Sequence, residues 1–172
     1  MAEASKSQIE KEYLKSYEAH NDAIFRFALF QTSSRTVALD ITQDTFIKTW
    51  EYLADGNTVE NMKALLYRIA HNLIIDYRRK KKTVSLDGMT ESGFDVGFDP
   101  TEHSFSAADA KEAMKTLSMI DKKYKDVVVM RHIEGMSVKE IADITGESEN
   151  TISVRIHRGL EKLRDMIPKK EY

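Results

Sequence analysis

Residues 137–164, SVKEIADITGESENTISVRIHRGLEKLR, restrict the fold more than any other stretch of the chain. The pattern predicts two helices joined by a tight turn. Val138, Ile141 and Ala142 share one face of a short first helix, and the small Ala142 lets a second helix approach closely. Gly146 stands where the chain must turn sharply and where a residue without Cβ is cheapest. Glu147, Ser148, Glu149 and Asn150 offer N-cap chemistry. Ile152, Ile156, Leu160 and Leu163 then repeat at helical spacing, with Ile152 placed to pack back on the first helix. The opposite face carries Asn150, Ser153, Arg155, His157 and Arg158, short polar and cationic groups of the kind that reach base edges and phosphates in a major groove. The same spacing suits any αα-hairpin with a solvated polar face. Glu147 departs from the helix-turn-helix pattern, in which the place after the turn is usually apolar.

The rest of the chain also reads as helix. Gly and Pro are few, 7 and 2, and apolar residues recur at three and four rather than in alternation. The expected fold class is all-α, with two small helical domains joined by a flexible acidic linker. A first helix is predicted from about 8 to 31, with Tyr13, Tyr17, Ile24, Phe27 and Ala28 on its buried stripe. A second runs from about 36 to 54, with Ile41, Phe46, Trp50 and Leu53 buried and Asp40, Gln43 and Asp44 on the other face. Asp55-Gly56-Asn57-Thr58 forms a turn. A third helix, about 60 to 81, has Met62, Leu65, Leu66, Ile69, Leu73, Ile74 and Tyr77 in register and ends in Arg78-Arg79-Lys80-Lys81-Lys82. Residues 83–106 hold Gly, Pro, Ser and Asp without sustained period and read as the linker, in which Phe94, Phe98 and Phe105 are unusual for a pure spacer. Residues 107–172 form the second domain. A helix spans about 107 to 117, Asp121 opens the next, and Glu134-Gly135-Met136 turns into the hairpin.

Charge is distributed in blocks. Residues 1–82 carry 13 Lys/Arg and 11 Asp/Glu, residues 83–109 none and 6, and residues 110–172 again 13 and 11. Two mildly basic blocks flank a purely acidic joint, so affinity for DNA unaided should be weak. The absence of cysteine removes disulfides, thiolate metal sites and a thiol nucleophile. There is no P-loop, dinucleotide fingerprint or HExxH, and the five histidines (His20, His71, His103, His132, His157) never pair at metal-ligand spacing. Neither an enzyme, a cofactor nor a metal site is expected. No apolar run is long enough to span a bilayer and no signal-peptide core opens the chain, so a cytoplasmic location and no membrane insertion are expected.

The helix over residues 40–50, DITQDTFIKTW, has two readings on physics alone: an acidic face meeting only water, or a docking face for a basic partner helix. The blocks ALDITQDTFIKTW, ALLYRIAHNLIIDYRRKKK and TISVRIHRGLEKLR, taken together and in this order, resemble bacterial RNA polymerase sigma factors of the extracytoplasmic-function type, which keep only regions two and four. The resemblance covers roughly residues 13–82 and 108–166 and implies the following. Residues 1–82 are region two, 83–106 the acidic linker and 107–172 region four. Asp40, Gln43 and Asp44, with Phe46 and Trp50 holding the helix in place, dock on the β′ clamp helices of core polymerase. The loop 53–61, with Asp55, Asn57 and Asn61, captures a flipped base of the minus-ten element. Tyr67, Arg68, Asn72, Tyr77, Arg78, Arg79 and Lys80 lie on or after the helix around the melted strand, with Tyr67 and Tyr77 equally suited to the core. Asn150, Thr151, Ser153, Arg155, His157 and Arg158 read the minus-thirty-five element. The acidic linker threads the polymerase channels. Implied partners are core polymerase, through the β′ clamp helices and β flap, promoter DNA, and an anti-sigma factor, which could hold this otherwise nucleoid-associated chain at the membrane.

Three departures stand out. Many members carry a long cation where Ser153 stands, Glu147 and Glu149 add negative charge beside DNA, and residues 1–12 have no counterpart. The rival reading is a stand-alone dimeric helix-turn-helix regulator with an N-terminal sensor or dimerisation domain. A sigma-mimicking adaptor is a third.

Overall fold

The computed structural model describes residues 2–86 and 107–167, which form two compact units. Every regular element among them is helical. The first unit is built on three helices, α1 (Ala2–Thr32), α2 (Arg35–Ala54) and α3 (Met62–Leu86). Its core lies where α1 meets α3. Ile24, Phe27, Ala28 and Leu29 of α1 and Leu66, Tyr67, Ala70 and Ile74 of α3 are fully buried. Phe27 and Tyr67 meet edge to face, with ring centroids 5.3 Å apart, so Tyr67 belongs to the core. Tyr77 is half-buried.

α2 is fixed by a different device. Thr42, Thr45 and Thr49 are buried, and each donates its hydroxyl to the carbonyl one turn back, at 2.7, 2.7 and 2.8 Å. That removes the cost of placing three hydroxyls in an apolar interface. Tyr13 packs edge to face on Phe46 and Trp50 (6.4 and 5.2 Å), and Tyr17 on Phe46 (4.8 Å). Tyr17 nonetheless remains 43% exposed, so the buried stripe of α1 narrows toward its start.

Three helix boundaries differ from the expected ones. α1 begins at Ala2 rather than near residue 8, and α3 runs to Leu86, into the stretch read as linker. The side chain of Asn61 accepts from the Ala64 amide at 3.0 Å, which caps α3 and moves its start from Glu60 to Met62. The linker from residue 87 to 106, with Phe94, Phe98 and Phe105, and residues 168–172 lie outside the described residues.

The second unit contains α4 (Ala107–Leu117), α5 (Lys122–Val128), a π-helical turn (Val129–Ile133), α6 (Val138–Thr145) and α7 (Glu149–Met166). Asp121 occupies the N-cap position of α5, but its side chain makes no capping bond. The π turn replaces the plain helix expected there. The amide of Glu134 reaches the carbonyl of Val129 at 3.0 Å, and Arg131 Nη1 closes the turn on the Met136 carbonyl at 2.8 Å. That extra residue lets both Met130 and Met136 enter the core. α6 opens with a complete capping box. Ser137 accepts from the Glu140 amide at 3.1 Å, and Glu140 accepts from the Ser137 amide at 2.7 Å. It ends at Gly146, whose φ of 74° is the left-handed conformation that closes the helix. α7 crosses α5 at Gly159. A Cβ there would lie 2.8 Å from Val128 Cγ2 and 3.2 Å from Tyr124 Cβ. No helix among the described residues is long and apolar enough to cross a membrane.

Candidate polymerase and nucleic-acid interfaces

In the first unit, α2 divides its residues sharply. Ala38, Ile41, Thr42, Thr45, Phe46, Thr49 and Leu53 face inward. Asp40, Gln43 and Asp44 are all exposed, and their spacing of three and four places them together on one outward strip. Leu39 (43% exposed) and Ile47 (54%) flank them, an apolar contribution to this face that the sequence reading did not include. Trp50, two turns after Gln43 at the edge of the strip, is half-buried against Tyr13. The arrangement suits a partner helix that offers cations to the carboxylates and apolar stems to Leu39 and Ile47.

The turn after α2 exposes Asp55 and Asn57, with Gly56 at φ 85°. Asn57 Nδ2 donates to the Tyr52 carbonyl at 2.9 Å, which fixes the amide plane. Asn61 is committed to the cap of α3. Along α3, Arg68, Asn72, Arg79 and Lys80 are exposed. Arg79 pairs with Asp76 at 2.9 Å, but that pair is open to water and easily exchanged.

Arg78 is different from its neighbours. Its guanidinium is half-buried and donates to the carbonyl and side-chain oxygens of Gln31, at 3.2 and 2.8 Å. Gln31 lies in the last turn of α1, where carbonyls lack helical partners, and the chain then passes through Ser33 at φ 54°. Arg78 therefore clamps the end of α1. At the head of the cationic run, Arg78 is engaged with Gln31, while Arg79 and Lys80 after it are exposed.

In the second unit, α7 follows an N-cap at Ser148, which accepts from the Thr151 amide at 3.2 Å and whose hydroxyl lies 2.8 Å from that of Thr151. Thr151 is thus engaged inside its own helix terminus. Arg155 is engaged too. Its guanidinium makes a two-pronged pair with the Glu147 carboxylate, one prong measuring 2.7 Å. Both side chains are about two-thirds covered. The remaining predicted readers, Asn150, Ser153, His157 and Arg158, are exposed. His157 Nε2 lies 3.2 Å from Glu161 Oε1, an ion pair only when the imidazole is protonated. Val154, 40% exposed among them, was absent from the sequence reading. Among the described residues no group of three or more His, Asp or Glu is placed to hold a metal ion.

Comparison with known proteins is consistent across both units. Residues 16–84 match the model of Sigma-70 region 2, and residues 110–163 match that of Sigma-70, region 4. RNA polymerase sigma factor SigV of Bacillus subtilis is 28% identical over 152 residues, spanning 88% of this chain and 89% of that protein. ECF RNA polymerase sigma factor SigL of Mycobacterium tuberculosis is 29% identical over 150 residues, spanning 86% and 84%. Two solved structures share the fold. The sigma factor RpoE from Bartonella quintana, crystallised with the anti-sigma factor NepR, gives a TM-score of 0.79 at 22% identity over 94% of this chain and 99% of that one. CnrH, in complex with the cytosolic domain of CnrY, gives 0.71 at 24% identity over 99% and 96%.

Proposed function

This chain belongs to the sigma-70 family of RNA polymerase sigma factors, with relatives of the extracytoplasmic-function type, and directs transcription initiation; we infer from that premise how its two units share the work. The unit of α1–α3 acts as region 2. It holds core polymerase and reads and melts the minus-ten element. The unit of α4–α7 acts as region 4, reads the minus-thirty-five element and meets the β flap. The stretch between them runs through the polymerase channels, where its carboxylates stand in for nascent RNA.

The observation that carries this reading is the outward grouping of Asp40, Gln43 and Asp44 on a helix whose opposite face is buried in the core. Three polar groups held on one strip offer a pre-formed surface to the cations of the β′ clamp helices, and Trp50 at the strip's edge anchors α2 on Tyr13. Asp55 and Asn57 present polar atoms to an unstacked base, while Arg68, Asn72, Arg79 and Lys80 follow the separated strand. A net charge of −2 gives little free energy from counterion release, so promoter binding depends on polymerase holding the protein in place. Polymerase supplies the chemistry, and no residue here acts as a catalyst. The protein works in the cytoplasm at the nucleoid, and an anti-sigma factor covers the same surfaces when it is idle. The dimeric-regulator reading is not favoured, because the region 2 match occupies the segment its sensor or dimerisation domain would need.

The test is a titration of the labelled full chain with core polymerase, followed by fluorescence anisotropy. Asp44→Arg should weaken binding by about tenfold or more with an unchanged melting temperature. Equal affinity for the two proteins would overturn the docking role.

A further inference from the structure

The outward face of the first turns of α7, from Glu149 to Arg158, contains one exposed apolar side chain. Asn150, Val154 and Arg158 follow one another at intervals of four and form a single row, with Ser153 and His157 in the row beside it. Val154 is 40% exposed and stands between a side chain able to bond an adenine edge and one able to bond a guanine or a phosphate. The two residues on the flank of this face, Thr151 and Arg155, are held by Ser148 and Glu147. The free face of the first turns of α7, the part of a recognition helix that enters the groove, is therefore Asn150, Ser153, Val154, His157 and Arg158.

Isolated exposed valines are common and usually mean nothing. Val154 differs in its surroundings. A short, stiff, branched apolar group at the centre of a polar reading face cannot satisfy any base-edge donor or acceptor, and it dehydrates whichever edge it meets. One major-groove feature rewards such a group, the C5-methyl of thymine. We propose that Val154 is a specificity-determining residue that packs on a thymine methyl in the upstream promoter element, with Asn150 and Arg158 fixing the register on either side. This rests on the region 4 role inferred above.

The experiment uses holoenzyme assembled from core polymerase and the full chain. A duplex pool randomised across the upstream region is selected for binding, and each thymidine of the enriched element is then replaced by deoxyuridine, which removes only the methyl group. With the native chain, at least one replacement should weaken binding about threefold to tenfold, the worth of one buried methyl. With Val154→Ala, that replacement should make no difference, while Val154→Ile keeps the penalty. Because the position is on the surface, all three proteins should melt alike. An undiminished penalty with Val154→Ala, or no sensitive thymidine in an enriched element, overturns the inference and leaves the region 4 role standing. A holoenzyme that enriches no upstream sequence overturns both.

Discussion

Glu147 holds Arg155 by both carboxylate oxygens across the turn of the helix-turn-helix, eight residues apart in sequence. The turn position filled by Glu147 is usually apolar, and the pair explains how a carboxylate sits there without penalty. Its charge is neutralised, and both its oxygens are bonded. The carboxylate therefore adds less negative charge beside DNA than its sequence position implied. Glu147→Ala should strand a largely covered guanidinium and destabilise the second unit by about 1–2 kcal/mol. Arg155→Ala in the same background should add little, which a double-mutant cycle by thermal unfolding measures. Fully additive losses would mean that the two side chains do not depend on one another.

Gly159 marks the tightest crossing in the second unit. Its added Cβ would fall 2.8 Å from a methyl of Val128, itself β-branched and 4% exposed. Gly159→Val should cost about 1–3 kcal/mol through overpacking, and Val128→Ala should recover part of that loss. A chemical-denaturation series of the two single variants and the double variant decides the point. A Gly159→Val protein as stable as the native one would show that α5 and α7 lie further apart.

Arg78 and Arg79 are adjacent, yet they answer to different assays. Arg78→Ala should lower the stability of the first unit by about 1–2 kcal/mol, since the end of α1 loses its clamp. Arg79→Ala should leave melting unchanged. In holoenzyme it should weaken binding to single-stranded minus-ten DNA and lower the salt dependence by about 0.7 for the lost phosphate contact. The reverse assignment of effects would place Arg78, not Arg79, on the DNA.

Burial, aided by the nearby Lys63 ammonium, holds His20 below its ordinary pKa of 6.5. The folded chain thus resists the proton that the unfolded chain accepts. The stability contributed by neutral His20 is present above pH 6.5 and is lost as pH falls below it. Melting temperature should drop between about pH 7.5 and about pH 5, and His20→Gln should flatten that drop. An equally steep fall in the variant would assign the dependence to other groups.

Much of this was legible in the sequence because the signals were local and periodic. The spacing of Leu66, Ile74 and their neighbours on α3, and the Gly146 turn before Ile152, are short-range patterns that tertiary packing reinforces. Ser137 and Glu140 also carry the capping-box signature in plain view. What could not be read was long-range or geometric. Arg78 looks like one more cation in a run of five until α1 is seen to end beside it, 47 residues earlier in the chain. Arg155 and Glu147 each have an obvious role alone, and only their approach across the turn reveals the shared one. The π turn at Val129–Ile133 has no marker in residue type, since it arises from the need to bury both Met130 and Met136. Asn61 offers polar chemistry to a base in the sequence, and its second role, the side-chain oxygen capping α3, shows only in the folded chain.

The central claim is that two helical units of one chain engage core polymerase and promoter DNA together. A run-off transcription reaction, with core polymerase and a template pool carrying promoters of extracytoplasmic-function type, tests it most directly. Adding the native protein should produce discrete transcripts that core alone does not make, and Asp44→Arg should abolish them at matched concentration. Transcripts unchanged by the protein, or made equally well with Asp44→Arg, would contradict the account.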